Sequence, residues 1–152
     1  MPAKLVIDIQ YASPAIETAV SKLASANLIK KWVKAVTTTN GLLTLRFVNA
    51  AEGKKLNASF RNKEYATNVL TFLYEHSKNI VSADIIFCMP VIQKEAKEQN
   101  KLLKSHLAHL IVHGCLHAQG LDHEKKTEAV KMEALEVKIL KKIGFTNPYL
   151  AQ

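Results

Sequence analysis

The segment HGCLHAQGLDH, from His113 to His123, constrains the fold of this chain more than any other stretch, and it holds three of the six histidines. His113 and His117 are four residues apart, so on a helix they lie on one face, one turn apart, and their imidazoles can bind one ion. His123 can join them only if the helix ends and the chain folds back. Gly120 permits this reversal, because glycine readily adopts the positive φ common at helix C-termini.

The spacing therefore predicts a metal site at the end of a central helix, with His113, His117 and His123 as ligands. Three neutral histidines leave one position of a tetrahedral ion open, which is typical of catalytic zinc sites rather than structural ones. The ligand set does not identify the metal, since imidazole also suits copper, nickel and iron. The alternative is a set of core histidines without metal, which this spacing and the glycine disfavour.

Three nearby side chains are candidates for the surroundings of the site. His109 lies on the same helix face as His117, but eight residues of helix separate them by about 12 Å, too far to share an ion. We therefore expect His106 and His109 to be packed, or to support the ligands, rather than to bind the metal. Asp122 is a candidate to orient a ligand imidazole through a hydrogen bond. It is equally a candidate turn or helix-capping residue.

Hydrophobic periodicity predicts an α+β fold with a single domain over residues 1–152. A small mixed sheet of about four strands would be covered by about five helices. The Asn40–Gly41 pair predicts a turn, and Ser13–Pro14 predicts the start of a helix with a possible break near Ala24–Asn27. Strands are predicted at Lys4–Gln10, Leu42–Val48, Asn68–Tyr74 and Ser82–Met89, and further helices at Asn49–Phe60, from Pro90, at Leu102–Ala118 and at Lys125–Gly144.

Charge and composition narrow the class of partner. The net charge of +8, from 21 Lys and Arg against 13 Asp and Glu, favours a polyanion such as nucleic acid, although it is also compatible with a merely basic surface. No apolar run approaches the roughly 18 residues of a membrane-spanning helix, and the N-terminus lacks the features of a signal peptide. Cys88 and Cys115 are typical of small buried residues in a reducing compartment. We expect a cytoplasmic protein that binds neither membranes nor DNA.

The spacing HxxxHxxGxxH equals that of the metzincin proteases. Those enzymes carry a glutamate general base directly after the first histidine, where this chain has Gly114. Without that base, peptide hydrolysis is poorly served. A phosphodiester is a better match, because a metal can stabilise phosphoryl charge and a basic surface attracts the substrate.

The segment HGCLHAQGLDH resembles the signature of the YbeY family of bacterial single-strand-specific endoribonucleases. Three further segments resemble that family in the same order, so the likeness extends over roughly residues 42–150. They are LNASFRNKEYATNVLTF (56–72), ADIIFCMPVIQKEAKEQ (83–99) and ALEVKILKKIGFTNPY (134–149). The chain departs from the family pattern at a few positions, among them Leu121, which replaces the usual aromatic residue before Asp122, and Ala118, which replaces a common leucine.

The resemblance implies a zinc-dependent endoribonuclease that cleaves single-stranded ribosomal RNA. It implies roles in maturation of the 16S rRNA 3′ end and in ribosome quality control, with the small ribosomal subunit and its associated proteins as partners. One zinc ion per chain would be held by His113, His117 and His123, and the catalytic residues would be His113 and Arg61. A guanidinium at Arg61 could clamp a phosphate and stabilise transition-state charge.

Two other functions stay open at this stage. One is a metalloprotease with metzincin-like spacing, which Gly114 argues against. The other is a non-catalytic, metal-stabilised ribosome assembly factor, in which the histidines would serve folding alone.

Overall fold

The computed structural model describes residues 4–61, 67–77, 79–121 and 125–150, and for Phe60, Arg61 and His76 it describes the backbone alone. These residues form four strands and six helices. The strands are β1 (Leu5–Tyr11), β2 (Asn40–Val48), β3 (Val69–His76) and β4 (Ile80–Cys88). The helices are α1 (Pro14–Ser21), α2 (Ala26–Val36), α3 (Ala50–Arg61), α4 (Met89–Glu98), α5 (Leu103–Ala118) and α6 (Lys126–Lys142).

The four strands form one mixed sheet in the order β1-β2-β4-β3. β2 pairs in parallel with β1 on one side and with β4 on the other. β3 runs antiparallel to β4 at the edge of the sheet. The predicted α+β class with a small mixed sheet is confirmed.

The main hydrophobic core lies between α5 and one face of the sheet. Leu45, Phe47, Ile85 and Phe87 are fully buried there, and the rings of Phe47 and Phe87 stack at a centroid distance of 5.0 Å. Ten of the 16 residues of α5 are buried, so this helix is the central element of the fold. A second, smaller cluster around Val48, Leu70, Ile86 and Cys88 lies outside the main core and packs with Leu56 of α3.

Local capping signals give several of the predicted helix ends. Ser13 caps α1 by accepting a hydrogen bond from the backbone N–H of Ile16 at 3.2 Å, and Asn49 likewise accepts from Glu52 at 2.9 Å. Ser25 caps α2 in the same way, so the possible break near Ala24–Asn27 is real. The described residues therefore contain six helices, and the expected number of about five was one too low.

The predicted turn at Asn40–Gly41 is wrong. Both residues belong to β2, and the glycine serves a close approach between strands instead. A Cβ on Gly41 would lie 1.8 Å from the carbonyl oxygen of Val81, and its φ is +144°. Only glycine fits that contact without strain.

Two further observations concern the cysteines and the length of the helices. Cys88 and Cys115 are buried free thiols, as expected, and burial raises the pKa of Cys115 to about 12. No helix within the described ranges is both long and apolar enough to span a membrane.

Candidate metal centre

His113 and His117 lie on the last two turns of α5, and their side chains converge. The two Nε2 atoms are 3.1 Å apart. The helix ends where the glycine predicts: Gly120 has a φ of +88°, its N–H donates to the carbonyl of His117, and the N–H of Leu121 donates to that of Leu116. These two bonds form a Schellman motif, which turns the chain away from the helix axis.

The donor pair fits a zinc ion. Two ligand nitrogens on a tetrahedral ion, each bonded at 2.0–2.1 Å, lie about 3.3 Å from each other. The observed separation of 3.1 Å is close to that value. Among the described residues no group of three His, Cys, Asp or Glu side chains is arranged to hold a metal. The predicted third ligand, His123, and the candidate Asp122 lie outside the described residues.

The first predicted ligand, His113, contacts a buried carboxylate that was not among the predicted site residues. Glu136 of α6 is fully buried, and its Oε2 lies 2.6 Å from Nδ1 of His113. Its Oε1 lies 3.3 Å from Nε2 of His109 and accepts a hydrogen bond from the hydroxyl of Tyr149. His109 is therefore packed against Glu136, beside the predicted ligand His113, as expected for this residue.

The pKa of Glu136 reflects this network. Burial alone would raise it, but hydrogen bonds from His109, His113 and Tyr149 outweigh burial and lower the pKa to about 2. Burial and the bond to Glu136 both raise the pKa of Tyr149. At neutral pH the site thus contains one carboxylate surrounded by donors.

A signal for Glu136 was present in the sequence. Residues 132, 136 and 140 follow each other at the four-residue spacing of one helix face, and in the structure Met132, Glu136 and Leu140 are all buried. A lone acidic residue on an apolar stripe requires a buried partner, because an unpaired buried charge is costly. The amphipathic pattern located the helix, but it does not show which side chains on other elements are the partners of this acidic residue.

Gly114 lies against the sheet. A Cβ at this position would lie 2.7 Å from Cγ2 of Ile85, closer than real Cβ contacts allow. In the sequence, Gly114 stands where a metzincin protease has its general base. The structure adds that α5 approaches β4 too closely for a side chain at this position.

Comparison with known proteins places these features in a family. A sequence model described as Endoribonuclease YbeY matches residues 9–144. An Endoribonuclease YbeY from Polynucleobacter asymbioticus is 73% identical over 148 residues, which cover 97% of this chain and 96% of the relative. A relative with the same description from Herminiimonas arsenicoxydans is 49% identical, with 97% and 96% of the two chains covered. This chain belongs to the YbeY family.

A solved structure supports the fold alone. The solution structure of TM1509 from Thermotoga maritima matches 95% of this chain and 99% of its own length, with a TM-score of 0.57 and 22% sequence identity.

The departure from the YbeY pattern at Leu121 is accommodated by packing, since this partly buried side chain contacts the main hydrophobic core.

The chain has two arginines, Arg46 and Arg61. Arg46 on β2 forms a two-point pair with Glu52, with nitrogen–oxygen distances of 2.6 and 3.1 Å, and this pairing raises the pKa of the guanidinium. Its charge is therefore compensated. Arg61, the arginine to which the YbeY resemblance assigns a role, is the last residue of α3, and its side chain lies outside the described part of the structure.

Proposed function

We propose that this chain is a zinc-dependent endoribonuclease that cleaves single-stranded ribosomal RNA. Its proposed roles are maturation of the 16S rRNA 3′ end and ribosome quality control, in the cytoplasm and in contact with the small ribosomal subunit and its proteins. Membership of the YbeY family supports the endoribonuclease activity. The zinc ion, the ribosomal substrate and the ribosomal partners are proposed in addition to that activity.

One observation carries the metal dependence: the Nε2 atoms of His113 and His117 converge at 3.1 Å while a buried carboxylate occupies Nδ1 of His113. Histidine ligands of metals commonly donate their second ring N–H to a carboxylate in this way. We propose that His123 completes the ligand set, with one zinc ion per chain.

Each residue then has a defined task. His113, His117 and His123 would hold the ion. A bound zinc ion supplies Lewis-acid chemistry, in that it stabilises phosphoryl charge and makes a water molecule more acidic. Arg61 would clamp a phosphate through two parallel hydrogen bonds and stabilise the charge that develops on it.

The choice of RNA over peptide rests on Gly114 and on charge. The close contact of Gly114 with Ile85 leaves no room for the glutamate that a metzincin protease requires at that position. The net charge of +8 favours a polyanionic substrate. These two observations support a phosphodiester as the bond that is cleaved.

The test joins metal analysis to RNA cleavage. We expect the wild-type protein to bind one zinc ion and to cut single-stranded RNA, and His117→Ala to lose both properties. His106→Gln is the matched control, because His106 lies on the same helix but its Nε2 contacts Glu95 instead of the ligand pair. A wild-type protein that binds no metal, or a His117→Ala variant that cleaves at the wild-type rate, would contradict the proposal.

Arg61 is tested separately, since its loss should leave the metal in place. We expect Arg61→Ala to lower the cleavage rate by about 100-fold or more, in line with the loss of one group that stabilises transition-state charge. Lys54→Ala is the control, because it removes a cation from an exposed position of the same helix α3. Equal rates for Arg61→Ala and wild type would exclude the proposed role of Arg61.

The two other functions are distinguishable in the same experiment. Peptidase activity that His117→Ala abolishes, without RNA cleavage, would indicate a metalloprotease. Complementation of a deletion strain by every variant that stays folded, together with a folding defect in His117→Ala, would indicate an assembly factor without catalysis. The chemistry of the RNA ends is a further readout, since a 2′,3′-cyclic phosphate would exclude direct attack by water.

A further inference from the structure

Glu136 occupies an unusual place for a charged side chain. It lies on the buried stripe of α6 between Met132 and Leu140, and none of its surface is exposed. A buried carboxylate is costly unless donors surround it. The donors that it has come from outside its own helix, from α5 and from the segment that follows α6.

The two carboxylate oxygens of Glu136 have different partners. Oε2 faces Nδ1 of His113 at 2.6 Å. Oε1 faces Nε2 of His109 at 3.3 Å and the hydroxyl of Tyr149, which itself lies 3.2 Å from that His109 nitrogen. Because His109 and Tyr149 share Oε1, Oε2 is directed toward the metal-ligand candidate.

The segment that carries Tyr149 is anchored to the core. The ring of Phe145 packs edge-on against Trp32 of α2, with centroids 5.5 Å apart, and the backbone N–H of Tyr149 donates to the side chain of Asn147 at 2.9 Å. The first contact joins the segment to α2, and the second orders the backbone at Tyr149. The hydroxyl of Tyr149 therefore reaches Glu136 from a defined direction.

The contact with Glu136 decides the tautomer of His113. An ionised carboxylate only accepts hydrogen bonds, so Nδ1 of His113 must carry the proton. A neutral imidazole has a single N–H, and its other nitrogen then presents a lone pair. In His113 that nitrogen is Nε2, the atom that faces His117 at 3.1 Å.

We propose that Glu136, held by Tyr149, is the positioning residue of the metal site: it fixes the Nδ1–H tautomer and the ring orientation of His113. The C-terminal segment 145–149 is thereby part of the metal centre, although its tyrosine hydroxyl contacts the carboxylate rather than a ligand. This inference rests on the proposed metal-dependent function and adds two residues to it.

Zinc affinity is the first readout, measured by competition with a chromophoric chelator. We expect Glu136→Gln to weaken zinc binding by about 10- to 100-fold, the usual cost of losing a carboxylate behind a histidine ligand. Tyr149→Phe should weaken it less, by about three- to tenfold, because Glu136 keeps its bond to His113. Glu128→Gln is the matched control, since it removes the same charge from an exposed position about two turns away on α6, and its affinity should equal that of wild type.

The tautomer of His113 is the second readout, measured by ¹⁵N NMR on the metal-free protein. We expect the Nδ1–H form to dominate in wild type and Glu128→Gln, and the Nε2–H form to increase in Glu136→Gln. A purely structural role would lower the thermal stability of the metal-free protein and leave both the tautomer and the zinc affinity unchanged. If Glu136→Gln does not fold, Tyr149→Phe carries the test.

The outcomes separate this inference from the proposed function. Unchanged zinc affinity and tautomer in Glu136→Gln and Tyr149→Phe, with normal zinc binding by wild type, would overturn the role of Glu136 and leave the metal site standing. A wild-type protein without zinc affinity would overturn the proposed function itself.

Discussion

At the scale of single residues, Gly114 shows how a side chain that is absent shapes the site. Because Gly114 has no Cβ, α5 packs very close to β4. An added Cβ would lie 2.7 Å from Cγ2 of Ile85. That atom is a branch next to the backbone, so it cannot move away without a shift of the strand or the helix. The position of the ligand pair relative to the sheet therefore depends on this contact.

Gly114→Ala should destabilise the protein despite its better helix propensity. Overpacking typically costs about 1–3 kcal/mol, while alanine gains about 1 kcal/mol over glycine within a helix. We expect a net loss of roughly 1 kcal/mol in the free energy of unfolding, measured by urea denaturation. An increase in stability would show that the helix can retreat from the sheet at little cost.

A double-mutant cycle with Ile85→Ala checks the cause. Ile85→Ala removes the clashing methyl and by itself should cost about 2–5 kcal/mol through the cavity it leaves. In that background Gly114→Ala should be neutral or stabilising, because its methyl fills part of the cavity. Additive effects of the two substitutions would argue against direct contact.

At the scale of elements, the contact between α4 and α5 contains a buried histidine. Nε2 of His106 lies 3.1 Å from Oε1 of Glu95, and 5% of the histidine is exposed. Burial lowers the pKa of His106 more than the neighbouring carboxylate raises it, and His109 and Lys101 lower it further. The folded state thus disfavours the protonated form.

The sign of the pH dependence follows from that shift. The unfolded chain protonates His106 near pH 6.5, whereas the folded chain does so at a lower pH. Well above pH 6.5, His106 is neutral in both states and contributes nothing to the pH dependence of stability. As the pH falls below about 6.5, the unfolded state is favoured by up to about 1.4 kcal/mol per pH unit until the pKa of the folded state is reached.

We therefore expect wild type to lose more stability than His106→Gln between pH 7 and pH 5, as measured by denaturant unfolding at each pH. Glutamine retains a donor for Glu95 but does not titrate in this range. Parallel stability curves for the two proteins would contradict the assigned direction of the shift.

The elements themselves were largely predictable, because their signals are local. Ser13, Ser25 and Asn49 cap helices through contacts within three residues, and Gly120 ends α5 with the positive φ that its position suggests. Gly41 was misinterpreted because its role depends on Val81, which is 40 residues away in sequence and adjacent only in the folded sheet. Glu136 was missed for the same reason, since its partners lie on other elements.

At the scale of the whole molecule, the proposed metal site connects parts that are distant in sequence. His113 and His117 come from α5, Glu136 from α6 and Tyr149 from the segment beyond it. The periodicity of each segment predicted its own helix. It contained no information about which faces of α5 and α6 meet, so the convergence of the two histidines was predictable and their carboxylate partner was not.

Zinc should therefore stabilise the entire fold. A ligand that binds only the native state at 100 times its Kd adds about 2.7 kcal/mol, which corresponds to a rise of roughly 5–10 °C in Tm for a chain of this size. We expect this rise when zinc is added to the chelator-treated protein and followed by calorimetry. His117→Ala should show no such rise, and an equal shift in that variant would place the zinc elsewhere.

The parallel pairing of β2 has a consequence for how fast the chain folds. Its register joins Leu5 to Gly41 on one side and Asn40 to Ile80 on the other, so both contacts close loops of more than 30 residues. Non-local strand pairing of this kind slows folding toward milliseconds or longer, whereas a helix forms within about a microsecond. The histidine pair on α5 should thus be able to meet before the sheet against which it packs exists. The contact between His113 and Glu136, which depends on packing between α5 and α6, would form late.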